Sequence, residues 1–93
     1  MRVISNKSLR EFAELYPNAD LPLRGWRKLM EHANPRSYTD LKKLSNSVDR
    51  VGNYYIFDIS GNKYRVIAAI HFDRQILYVR HVFTHIEYDH WRP

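Results

Sequence analysis

The sequence predicts an α+β domain: two N-terminal helices and a short third packed on one face of a small antiparallel sheet of three to four strands, with a short C-terminal helix. Three observations carry this. Apolar residues of the first half recur with a helical period, whereas from Asn53 onward they gather in three runs rich in Tyr, Ile, Val and Phe. The connections within the second half are only a few residues long, which joins neighbouring strands antiparallel. With 93 residues, 44% hydrophobic, there is mass for one core, so residues 1–93 read as a single domain.

The elements follow in order. Met1-Arg2-Val3-Ile4 supplies a candidate edge strand. Leu9, Phe12, Ala13 and Tyr16 fall on one face of a first helix, with Ser8 and Glu11 spaced as a capping box, Ser5 an equal alternative as cap, and Pro17 just past the end. A second helix begins near Asp20 and Pro22, presents Trp26, Leu29, Met30 and Ala33, and stops at Asn34-Pro35. Ser37 caps a short third helix with Asp40 in its first turn and Lys42 and Lys43 after it.

The strands are expected over 54–59, 64–72 and 76–83, joined by Ser60-Gly61-Asn62 and Asp73-Arg74-Gln75. Period-two alternation sends Tyr64, Val66, Ala68, Ile70 and Phe72 toward the helices and Lys63, Arg65, Ile67, Ala69 and His71 away. In the last strand, the same rule directs Leu77, Val79 and Phe83 to the core. Tyr78, Arg80, Val82 and Thr84 then share the outer face with Arg65. Thr84 and Glu87 have capping-box spacing, so a short helix follows at once, with His85, Tyr88 and Asp89 on one side of it.

Fifteen Lys and Arg against ten Asp and Glu give a net charge of +5, which favours polyanionic partners: nucleic acid first, an acidic protein second, anionic lipid third. The absence of cysteine removes disulfides, thiol nucleophiles and Cys-ligated zinc, and fits a reducing compartment. Neither a membrane-length apolar run nor a signal peptide is visible, so a soluble cytoplasmic protein with no membrane partner is expected.

Metal-free RNA cleavage needs a base for the 2′-hydroxyl proton, cations for the phosphorane and an acid for the leaving 5′-oxygen. The outer face offers His85 or Tyr88 as base or acid, Arg65 and Arg80 as phosphate clamps, and Asp89 to orient the imidazole. The competing reading is a capped terminal helix packing its aromatics on the sheet beside solvated arginines. A metal site built from His81, His85 and His90 with Glu87 and Asp89 is weaker, because alternation turns His81 to the other face from Arg80. Arg24, Arg27, Lys28, Lys42 and Lys43 are candidates for RNA-backbone contacts. Tyr55 is a candidate for base stacking, with a sheet-packing role as its alternative.

Thr84-His85-Ile86-Glu87-Tyr88-Asp89 resembles the T-H-x-E-Y-D ending of HigB-type toxins, a branch of the RelE-like mRNA interferases of bacterial toxin–antitoxin systems. Tyr16-Pro17, Asp40-Leu41-Lys42, residues 55–59, residues 61–68 and Tyr78-Val79-Arg80 agree in order and spacing, so the resemblance covers nearly the whole chain. It implies a RelE-like fold and a metal-independent, cofactor-free endoribonuclease acting on mRNA, usually on translating ribosomes, leaving a 2′,3′-cyclic phosphate and a 5′-hydroxyl. It also implies that Asn62, Lys63, Arg65, Arg80, Thr84, His85, Tyr88 and Asp89 lie near the reaction centre. The implied partner is a HigA-like helix-turn-helix antitoxin that represses the shared operon, so DNA is met only through that complex. Relatives are expected to extend beyond the Trp91-Arg92-Pro93 at which this sequence stops. Two rival functions remain: a non-catalytic RNA-binding or regulatory module, and a degenerate toxin that only binds its antitoxin.

Overall fold

The computed structural model describes residues 1–93 and has one sheet covered on one face by helices. In chain order the elements are β1 (Arg2–Ile4), α1 (Ser8–Leu15), a 3₁₀ turn (Pro17–Ala19), α2 (Asp20–His32), α3 (Tyr38–Leu44), β2 (Asp49–Val51), β3 (Tyr54–Ile59), β4 (Tyr64–His71), β5 (Ile76–Thr84) and α4 (His85–Asp89). The sheet order is β1-β5-β4-β3-β2.

The sheet therefore has five strands rather than three to four, and it is mixed rather than purely antiparallel. β1 runs parallel to β5, with Val3 opposite Leu77, while the other pairs are antiparallel. β2 carries Asp49-Arg50-Val51, too polar and too short to show alternation, and reaches β3 through Gly52-Asn53. Gly52 has φ of 59°, a left-handed conformation that glycine adopts without a Cβ penalty.

Phe57, Met30, Leu41, Leu77 and Val66 are fully enclosed between sheet and helices. At roughly 1.5–3 kcal/mol per buried large apolar side chain, these anchors dominate the packing of the helices on the sheet. On α2 the buried stripe is Leu23, Trp26 and Met30, whereas Leu29, six residues from Leu23, turns to solvent. Trp26 meets Phe57 edge-on at 5.2 Å. The α3 cap forms as expected, with the Asp40 amide donating to Ser37 Oγ at 3.2 Å. α1 differs: neither Ser5 nor Ser8 caps it, and its N-terminus is turned by Lys7 in the left-handed region.

A β-bulge changes which side chains share a face. Ile67 faces His81 but Ala68 faces Val79, which leaves Arg80 as an extra residue in β5. Beyond it the alternation inverts. Val82, opposite Val66, packs on the core, and Phe83, opposite Arg65, moves to the outer face with His81. This reverses the expected placement of His81, Val82, Phe83 and Thr84, the last opposite the core residue Tyr64, because strict period-two counting carries no term for the inserted residue. No helix is long and apolar enough to cross a membrane.

Candidate active site

The site forms where the β3–β4 hairpin meets the start of α4 on the outer sheet face. Its centre is Arg65, only 11% exposed, held from several directions. Asp58 lies directly across the hairpin, and its Oδ1 forms an ion pair with Arg65, 3.1 Å from Nε. The Asn62 carbonyl accepts from Nη1 at 2.7 Å, and the guanidinium carbon stands 5.3 Å from the centre of the Tyr88 ring. Nη2 reaches His85 Nδ1 at 3.4 Å.

Local hydrogen bonds fix α4 in this position. Thr84 Oγ1 accepts from the Glu87 amide at 3.3 Å while Glu87 Oε1 accepts from the Thr84 amide at 2.8 Å, completing the capping box. The His85 amide donates to the Lys63 carbonyl at 2.9 Å, tying the helix to the hairpin turn. One turn on, Asp89 Oδ2 lies 3.4 Å from His85 Nε2.

These contacts assign the two imidazole nitrogens. A guanidinium can only donate, so in the neutral ring the nitrogen facing it, Nδ1, carries the lone pair, and Nε2, which then bears the proton, lies 3.4 Å from Asp89 Oδ2. The result is a continuous chain, Asp58–Arg65–His85–Asp89, with Tyr88 against the cation. It offers a nitrogen lone pair, a phenol and a positive charge within one open face.

The remaining candidates divide. Asn62 and Lys63 reach the site through their carbonyls, and Thr84 through its cap. Arg80 sits on the bulge with its guanidinium 5.1 Å from the Tyr78 ring centre, about 10 Å along β5 from the residue facing Arg65. It has no carboxylate partner and points from the same outer face.

Lys42 and Lys43 belong to α3, whose Leu41 is buried against the opposite face of the sheet, and Lys42 Nζ donates to the Asn46 carbonyl. They lie in the helical layer, away from His85. Tyr55 is a correction. Opposite Ala68 in the register, it points into the core, 7% exposed, with its ring against Tyr38 and Phe72. Its neighbour Tyr54 takes the outer face and meets Trp91 edge-on at 5.5 Å.

His81 stacks on Phe83 at 5.1 Å, and no three His, Asp or Glu side chains converge on one point. Sequence reasoning missed Asp58, Tyr54 and Trp91 as members of this face. Asp58 was within reach, since Ile59 pairs with Tyr64 around the 60–63 turn and the next pair outward is Asp58 with Arg65.

The family model for HigB toxins, described as the RelE-like toxic component of a toxin–antitoxin system, matches residues 19–91. The chain is 33% identical over 92 residues to the mRNA interferase toxin HigB of Escherichia coli strain K12, a match covering 96% of this chain and 88% of the relative. The same figures hold for the mRNA interferase HigB of Shigella flexneri. Identity to the mRNA interferase HigB of Escherichia coli O6:H1 is 29%, over 96% of this chain and 89% of the relative. The matched segment includes Arg65, His85, Tyr88 and Asp89 together with the hairpin and helix that position them, and the chain belongs to the HigB family of RelE-like toxins.

Proposed function

We propose that this protein is the toxin of a type II toxin–antitoxin system and an endoribonuclease that cleaves mRNA in the cytoplasm, on translating ribosomes. The observation that carries this is His85, set between Arg65 and Asp89 with Nδ1 toward the guanidinium, on an open face of a HigB-family chain. Substrate phosphate draws Arg65 Nη2 from the imidazole toward its own oxygens. Nδ1 then takes the 2′-hydroxyl proton, and the 2′-oxygen attacks the adjacent phosphorus. Asp89 Oδ2, 3.4 Å from Nε2, stabilises the imidazolium that forms and favours the working orientation of the ring.

Arg65 neutralises charge developing on the phosphorane, and Tyr88 Oη gives its proton to the departing 5′-oxygen. The products are a 2′,3′-cyclic phosphate and a 5′-hydroxyl, and no step calls for a metal or cofactor. Arg80, unpaired on the same face, takes a neighbouring phosphate. The partner that restrains the toxin is a HigA-like helix-turn-helix antitoxin.

The test is controlled induction in a bacterium, beside an Arg65→Ala/His85→Ala control, with growth followed and new mRNA 5′ ends mapped. Growth arrest with fresh 5′-hydroxyl ends, absent in the control, is expected. Normal growth with intact mRNA would remove the nuclease assignment.

A further inference from the structure

Trp91 is the hub of an aromatic cluster on the outer face. Its ring lies 5.5 Å from Tyr54, 5.9 Å from His81, 6.3 Å from Phe83 and 6.2 Å from Tyr88, the last with planes only 27° apart. No helix covers these rings, which remain partly exposed over the buried Ile56 and Ile67. Beside Trp91 runs a groove of about 310 Å³ lined by Val51, Tyr88, Asp89, Trp91, Arg92 and Pro93.

The lining specifies the ligand class. Aromatic and aliphatic walls, Trp91 with Val51 and Pro93, suit a flat ring that stacks without losing strong hydration. The polar wall is a carboxylate. Asp89 uses Oδ2 toward His85, and its Oδ1 has no partner, so it is an acceptor waiting for an N–H group and repels a phosphate. Arg92 turns Nη1 back onto the Asp89 and Trp91 carbonyls at 3.3 and 2.9 Å, closing the C-terminal end of the groove.

We propose that this groove is a nucleobase subsite: Trp91 stacks a base next to the scissile bond, and Asp89 selects bases bearing an exocyclic amino group over uracil. The proposal rests on the RNA-cleavage reading and deepens it. Asp89 also orients His85, so the base that engages Oδ1 steadies the imidazole as well, and base identity is coupled to the chemical step. Uracil offers only its ring N3–H, flanked on both sides by carbonyl oxygens that meet the carboxylate acceptor to acceptor, and so donates more weakly than an exocyclic amino group.

The test uses the full chain and 5′-fluorescein-labelled 2′-O-methyl trinucleotides of adenine, cytosine and uracil, which cannot be cleaved, read by fluorescence anisotropy. The expected Kd for the adenine and cytosine trimers is about tenfold or more below that for uracil, with Trp91→Leu weakening adenine binding by about tenfold and Trp91→Phe restoring it to within about threefold. Val51→Glu, which puts a second carboxylate in the groove while keeping every ring of the aromatic cluster, should weaken it equally and covers the case in which Trp91→Leu fails to fold.

Equal binding of the adenine and uracil trimers by the parent, or parental adenine binding in folded Trp91→Leu or Val51→Glu, would overturn the subsite. A parent that binds adenine through Trp91 yet cuts no mRNA would instead sink the cleavage reading and leave the subsite standing. Cutting of mRNA with trimer binding untouched by the variants would do the reverse.

Discussion

Asp58→Ala isolates the contact that aims Arg65, the cation to which we assign the phosphorane. In the parent, Asp58 and Arg65 are 3.1 Å apart, with side chains 30% and 11% exposed. The pair is thus more enclosed than surface ion pairs worth about 0–1 kcal/mol, but less than buried pairs whose rupture costs about 3–5 kcal/mol. A loss of about 1–2 kcal/mol in folding stability follows, or roughly 5–15 °C in Tm for a domain this size.

The effect on cleavage should be proportionally larger. Nε loses its anchor, and the guanidinium pivots about the Asn62 carbonyl, shifting Nη2 relative to His85 and the phosphate. Misplacement on the order of 1 Å costs roughly a hundredfold in rate. Urea unfolding and single-turnover cleavage of an mRNA reporter, both done well below the variant's Tm, separate the two effects. The expected pattern is a large drop in kcat with a small change in KM, partly recovered in Asp58→Asn, which keeps an oxygen of the same reach beside Nε. Parental kcat in a folded Asp58→Ala protein would refute the claim that Asp58 aims Arg65.

Thr84→Ala removes the cap acceptor of α4, and should cost about 1 kcal/mol and lower kcat as His85 loses its fixed position, measured by thermal melting and reporter cleavage. Arg80→Ala should raise KM without lowering kcat, and reduce by about one the slope of log K against log salt for an uncleavable RNA. His85→Ala should leave Tm within a few degrees, since the side chain is half exposed, while slowing cleavage by about 10²–10⁴-fold in a single-turnover assay. Phe57→Ala, at a fully enclosed position, should cost about 3–5 kcal/mol by urea titration and leave little folded protein at growth temperature.

Much of this architecture was readable from local chemistry. Ser37 before an acidic turn, Thr84 with Glu87, and the three aromatic-aliphatic runs each carry their own signal within a few residues, and each forms the element it announces. The features that escaped depend on pairing. β2, three residues long, is a strand only because β3 offers it an edge, and the parallel pairing of β1, whose place as an edge strand was legible, depends on β5 beside it. The Gly52-Asn53 step was the one local sign of β2, a two-residue glycine turn before a strand.

The Arg80 bulge is invisible to a period-two count, and its effect reaches the site: it brings His81 and Phe83 to the face of Arg65 and so builds the wall on which Trp91 rests. Tyr54 and Tyr55 show the same dependence, since adjacent strand residues take opposite faces and only the register, Tyr55 against Ala68, says which is buried. The grouping of Arg65, His85, Tyr88 and Asp89 was legible because a capped helix begins where β5 ends. Asp58 needed the turn to be counted through to its second pair.

Cleavage of an mRNA carrying a single 2′-deoxynucleotide 5′ to the mapped cut site, on ribosomes programmed with that message, separates attack by the 2′-oxygen from hydrolysis by water. Attack by the 2′-oxygen predicts that the substituted bond stays intact while the all-ribose message is cut to a 2′,3′-cyclic phosphate and a 5′-hydroxyl, and that His85→Ala cuts neither. Scission at the deoxy position, or 5′-phosphate ends from the all-ribose message, would mean that water rather than the neighbouring hydroxyl attacks, contradicting the role assigned to His85.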